Sequence, residues 1–106
     1  MMARCTGLAL LLLLSGHAAA EYDPWQHYDK TLKTLPKDAA AALDRGVTCN
    51  HFAGEFNGDG SQEDKERNRE MAKLRCDTVD SDISRIKQRY KNQPKVLQAI
   101  RTYYEE

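Results

Sequence analysis

The chain has 106 residues, and its 16 Lys+Arg balance 16 Asp+Glu to a formal net charge of zero. With 41% hydrophobic and 30% charged residues, it suits one small domain. The neutral balance excludes nucleic-acid binding driven by a basic field and gives no acidic tail.

The N-terminus reads as a secretory signal peptide. Arg4 precedes a pure apolar run from Leu8 to Leu14, and small residues follow at Ala18 and Ala20, which is the n-region, h-region and Ala-x-Ala order. The expected division is a signal peptide at 1–20 and a single helical domain at 21–106, located in the periplasm or secreted. The apolar run is too short to span a bilayer, which takes roughly 20 residues. No second run follows, so stable membrane insertion is not expected.

Asp23-Pro24 predicts a helix start, with Asp as cap and Pro at the first helical position. Trp25, Tyr28, Leu32 and Leu35 follow at helical spacing, and Pro36 ends the segment. A second helix begins near Lys37 through the helix-favouring stretch Ala39–Leu43. Leu43 and Val47 continue its stripe, Gly46 is a point of bending or arrest, and the segment ends near Gly54. Gly54 to Ser61, with three glycines in eight residues, is a loop.

The dominant element is predicted next. Ser61 and Asp64 have the spacing of a capping box, and Ala72, Cys76, Val79, Ile83, Ile86 and Tyr90 form a sustained apolar seam. A helix from about 62 to 91 would be near 45 Å long at 1.5 Å per residue. Asn92-Gln93-Pro94 breaks it, and Pro94 opens a short last helix carrying Val96, Leu97, Ile100, Tyr103 and Tyr104. No alternating strand pattern appears. The expected fold class is all-α: a small disulfide-stapled domain with three shorter helices around one long helix.

The staple is Cys49–Cys76. Cys5 leaves with the signal peptide, and the remaining pair in an oxidising compartment has one intrachain connectivity. The chain-entropy model gives a loop of 27 residues about 3.6 kcal/mol of stabilisation. A domain this small buries little surface and is marginal without such a staple.

One loop has the pattern of an ion site. Glu55 to Glu66 reads EFNGDGSQEDKE, close to the EF-hand pattern D-x-[DN]-x-[DN]-G-x5-E. Glu55, Asn57, Asp59, Glu63 and Glu66 fall at ligand positions 1, 3, 5, 9 and 12, and Gly60 at the turn position, as a calcium ion coordinated by six to eight oxygens requires. Glu55 departs from the Asp of the pattern, and Gln62 stands where an aliphatic residue is usual. The disulfide argues the other way, because helices diverging from an EF-hand loop hold Cys49 and Cys76 apart. An antiparallel helical hairpin brings them within the roughly 7 Å a disulfide needs. The alternatives are thus a calcium-binding loop and an ordinary capped connection.

No nucleophile elbow, P-loop or His-Glu-x-x-His motif occurs, so no catalytic residue is assigned and no enzyme is expected. Two aromatic groups, Tyr22, Trp25 and Tyr28 near the start and Tyr103 and Tyr104 near the end, supply the candidate partner surface, since large amphipathic rings concentrate binding energy.

The stretch Val47-Thr48-Cys49-Asn50-His51-Phe52-Ala53-Gly54-Glu55, followed by Leu74-Arg75-Cys76-Asp77, resembles short exported bacterial proteins of unassigned function, over about residues 31–100. That resemblance implies the compartment and the disulfide. A looser similarity in style exists to LprI-type lysozyme inhibitors and to helical periplasmic immunity proteins, which are also small, helical and cysteine-stapled. The expected function is a small exported non-enzymatic binding protein engaging a cell-envelope protein. The alternative is a calcium-binding protein using the loop 55–66.

Overall fold

The computed structural model describes residues 23–105. The signal-peptide reading at 1–20 and Tyr22 lie outside the described residues. Helix α1 spans Pro24–Thr34, α2 Lys37–Glu55, α3 Gln62–Lys73, α4 Val79–Arg89 and α5 Pro94–Tyr103, with a 3₁₀ turn at Cys76–Thr78 before α4. The described residues hold no strand, and the class is all-α.

The chain ends its helices where its chemistry says it should. Asp23 caps α1 by accepting from the Trp25 N–H at 3.0 Å, and Pro24 takes the first helical position. Leu35, held extended by the following proline, closes it. Pro94 opens α5 in the same way. Gly46 does not interrupt α2, which runs unbroken through it.

The single helix expected over 62–91 is instead two. Leu74 and Arg75 close α3 with backbone bonds to Glu70 and Ala72, and Arg75 turns left-handed at φ 56°, ψ 51°. The physical reason is phase. The sides of α3 facing the protein are Asp64, Arg67, Met71 and Leu74, whereas Ala72 of the expected seam is exposed. An unbroken helix would carry that stripe away from Val79, Ile83 and Ile86, all buried on α4. The left-handed residue resets the register and costs roughly 1–2 kcal/mol.

Every other helix packs on α2, and α4 does so most extensively. The two run antiparallel, joined by three rungs. At one end the Asp38 carboxylate accepts from the Tyr90 hydroxyl at 2.6 Å and pairs with Arg89. In the middle Arg45 donates to Asp82 and Thr78. At the far end Cys49 and Cys76 are disulfide-bonded with Cα atoms 5.6 Å apart. Between the helices lies the core, centred on Leu43, Ile83, Val96 and Ile100, all no more than 2% exposed. Each such side chain contributes about 1.5–3 kcal/mol by leaving water.

No apolar side chain between Cys49 and Cys76 is fully buried. The segment 50–75, comprising the last turn of α2, the loop and α3, therefore projects as an arm from the stapled end of the α2–α4 pair. No helix of the described residues is long and apolar enough to cross a membrane.

Candidate functional site

Two regions were legible as candidates, the loop and the aromatic clusters, and the structure rearranges both. Asp64 organises the loop. It is 2% exposed, and its carboxylate accepts the backbone N–H groups of Asn57, Gly58 and Asp59 at 3.0, 2.7 and 3.2 Å. Arg67, one turn on, donates to it at 3.1 Å. Gly58 and Gly60, at φ 73° and 71°, permit the curl that turns three consecutive N–H groups inward. Those N–H bonds, the one from Asn57 first, hold the Asp64 carboxyl below the usual carboxylate range, against the opposing effect of burial.

This polarity is opposite to that of a cation site. A calcium loop points oxygens at its centre, whereas this one points N–H donors at a carboxylate from its own chain, an anion-binding nest already filled. The five residues read as calcium ligands are dispersed accordingly. Glu55 ends α2 and lies 3.5 Å from His51. Asn57 contributes its backbone to Asp64. Asp59 accepts from the Ser61 N–H at 3.0 Å. Glu63 and Glu66 border a shallow hollow beside Phe52, with Glu66 accepting from Gln62. Among the described residues, no three His, Cys, Asp or Glu side chains form a group able to hold a metal ion.

The expected capping box is half formed. The Ser61 hydroxyl accepts from the Asp64 N–H at 3.2 Å, but the Asp64 carboxylate turns to the loop rather than back to Ser61. Its spacing marked Asp64 as a helix-start residue. That it gathers the loop depends on the loop folding back over it.

The aromatic clusters meet. Tyr28 and Tyr103 pack edge to face with ring centres 5.0 Å apart, which joins α1 to α5. Tyr28 is therefore core, at 4% exposure, and its place in the expected partner surface is corrected. The Tyr28 hydroxyl donates to Asp44 at 2.8 Å, so the phenol is satisfied inside, and burial followed by that bond raises its pKa well above the ordinary value. Tyr103 and Tyr104 are half-buried against the core. The Tyr104 hydroxyl donates to Asp80, and burial with that bond pushes the phenol up to about 12.

Of the expected surface, Trp25 stands exposed at 61%. Its indole meets the buried Tyr28 ring edge-on at 6.0 Å and, with Asp44, Val47, Thr48 and His51, borders a cleft of about 150 Å³. Phe56, 41% exposed on the arm, is the large apolar residue that sequence reasoning passed over, because its neighbours Asn68 and Met71 come from another helix. A further groove of about 320 Å³ runs between α1 and α5 past Thr31, Leu35, Lys95 and Thr102. Comparison with protein-family models, with curated proteins and with solved structures finds no match.

Proposed function

We propose that this chain is a small exported binding protein without catalytic activity, and that its partner is a protein of the cell envelope. The leader pattern supports export. The Cys49–Cys76 disulfide is the kind of staple that persists in an oxidising compartment. The observation that carries the reading is Trp25. It leaves most of a large indole in water while resting on a ring that the core holds still. An aromatic so placed loses little side-chain freedom on binding and offers a large contact area, which is the profile of a binding hot spot.

Trp25 is the one tryptophan of the chain, so its emission reports directly on this surface. The test captures envelope proteins on the immobilised protein and on its Trp25→Ala variant, then titrates each purified candidate into the wild-type protein. The expected result is a protein that shifts the Trp25 emission to the blue and binds the variant roughly thirtyfold more weakly, the effect of losing about 2 kcal/mol. Partners that bind both forms equally and leave the emission unchanged would refute the Trp25 surface. The calcium alternative has its own readout: a Ca²⁺-specific rise in melting temperature that Asp59→Ala abolishes would put it in first place.

A further inference from the structure

The loop between α2 and α3 pairs an asparagine with a glycine. Of the four asparagines in the chain, Asn57 is the one followed by glycine. Asparagine is thermolabile, and its decay runs through the next backbone nitrogen. Once deprotonated, that nitrogen attacks the side-chain carbonyl carbon. A C–N bond forms to close a succinimide ring, and ammonia leaves. Water then opens the ring at either carbonyl, which leaves aspartate or isoaspartate. Glycine obstructs the attack least, because it has no Cβ.

The fold presents the electrophile and withholds the nucleophile. Asn57 and Gly58 are exposed, and among the described residues the Asn57 carboxamide has no hydrogen-bond partner. The Gly58 N–H, by contrast, donates to the Asp64 carboxylate at 2.7 Å, the shortest of the three backbone bonds knotted on that side chain. The proton that must leave is therefore held between the nitrogen and a carboxylate. Arg67 anchors the same carboxylate at 3.1 Å. Folding lowers the Asp64 pKa, so the group is charged wherever the nitrogen could ionise, and one anion disfavours a second beside it. The other asparagines lack this pairing. Asn50 and Asn68 lie inside α2 and α3, and Asn92 precedes Gln93, whose N–H donates to Tyr90.

We propose that Asn57-Gly58 is a self-modification site gated by Asp64: the closed knot keeps Asn57 intact, and the open knot lets it convert to aspartate or isoaspartate. Water is the one co-reactant, and ammonia is the one product released. The change runs one way. It adds a negative charge to a residue whose own N–H serves Asp64. Isoaspartate also lengthens the main chain by a methylene between the first and second donors, so the three no longer match one carboxylate. Conversion follows the fraction of time the knot is open, which makes Asn57 a record of local opening at the tip of the arm.

The test incubates the purified protein in warm, mildly alkaline buffer beside its Asp64→Asn and Asn57→Gln variants and a synthetic peptide of residues 55–62. Peptide mapping by mass spectrometry locates the acid product, and released ammonia gives the rate. The peptide should convert at position 57, and the wild-type protein should convert far more slowly. Asp64→Asn should convert about tenfold faster than wild type, the factor that one pKa unit on the attacking nitrogen supplies. Asn57→Gln should remove the product. A melting curve checks that Asp64→Asn is folded. Amide hydrogen exchange at Gly58 needs no variant, because it removes the same proton, and it should be about tenfold or more slower in the wild-type protein than in the peptide. Wild type converting as fast as the peptide would overturn the proposal. So would a folded Asp64→Asn as slow as wild type, Gly58 exchange at the peptide rate, or earlier product at another asparagine.

Discussion

A buried aspartate at the start of a mostly exposed helix needs compensation, because a carboxylate leaves water only when hydrogen-bonded and paired. Asp64 has three backbone N–H donors and Arg67. Asparagine at this site keeps the shape but offers one acceptor oxygen, turns an amide N–H₂ toward other donors and leaves Arg67 unpaired. Asp64→Asn is therefore expected to lower the melting temperature at pH 7 and loosen residues 57–60 first. The pH dependence follows in sign. A carboxyl whose pKa is lowered by folding stabilises the native state fully above its unfolded value, about 3.9, and loses that contribution as pH falls through the lower folded value. Asp64 is such a group. So are Asp82, held down by Arg45, and Asp38, held down by the Tyr90 hydroxyl and Arg89. Acid melts should show the wild type losing stability below about pH 4 more steeply than Asp64→Asn. Parallel acid limbs would mean that the Asp64 charge is not what holds the loop.

At the scale of elements, the helix boundaries marked by proline or aspartate were legible, because caps and Pro act locally. The break at Arg75 was not. No glycine, asparagine or proline signals it, and the seam from Ala72 to Tyr90 keeps helical spacing across it. The break answers a tertiary demand, bringing Cys76 to Cys49 while Ile83 and Ile86 face the core. The same arrangement leaves the arm with little of its own to hold it: the disulfide at its base, the Asp64 knot at its tip and partial burial of Phe52, Met71 and Leu74 between them. Segments with few buried apolar contacts open at low free energy. Reduction of Cys49–Cys76 is expected to raise amide hydrogen exchange across residues 50–75 well before α1, α4 and α5 lose protection, and to lower the overall melting temperature. Uniform loss of protection would show that the arm and the core unfold as one unit.

Across the whole molecule, the all-α class and the staple were readable because they follow from periodicity and cysteine count. The way the other four helices close around α2 was not, since it depends on which small residue lets others approach. Gly46 is that residue. From propensity alone it is a weak point of the helix. In the fold, a Cβ added there would lie 2.6 Å from Ile83 Cδ1 and 2.7 Å from a Tyr104 ring carbon, so α2, α4 and the end of α5 meet at one glycine. Two effects oppose each other in Gly46→Ala. Alanine gains about 1 kcal/mol in helix propensity, while overpacking a filled core costs typically 1–3 kcal/mol. The packing cost should prevail, because Ile83 is 2% exposed and has nowhere to go, and the Tyr104 ring can yield only by giving up its bond to Asp80. The expected net loss is about 1 kcal/mol, a fall in melting temperature of roughly 4–8 °C for a domain of this size. Gly54→Ala is the internal control. It sits in the same helix with nothing within 4 Å of the added Cβ, so only the propensity gain applies and the melting temperature should rise. Thermal melts of the two variants should therefore move in opposite directions. A rise in both would mean that α4 and the C-terminal tyrosines do not close on α2 as tightly as this packing requires.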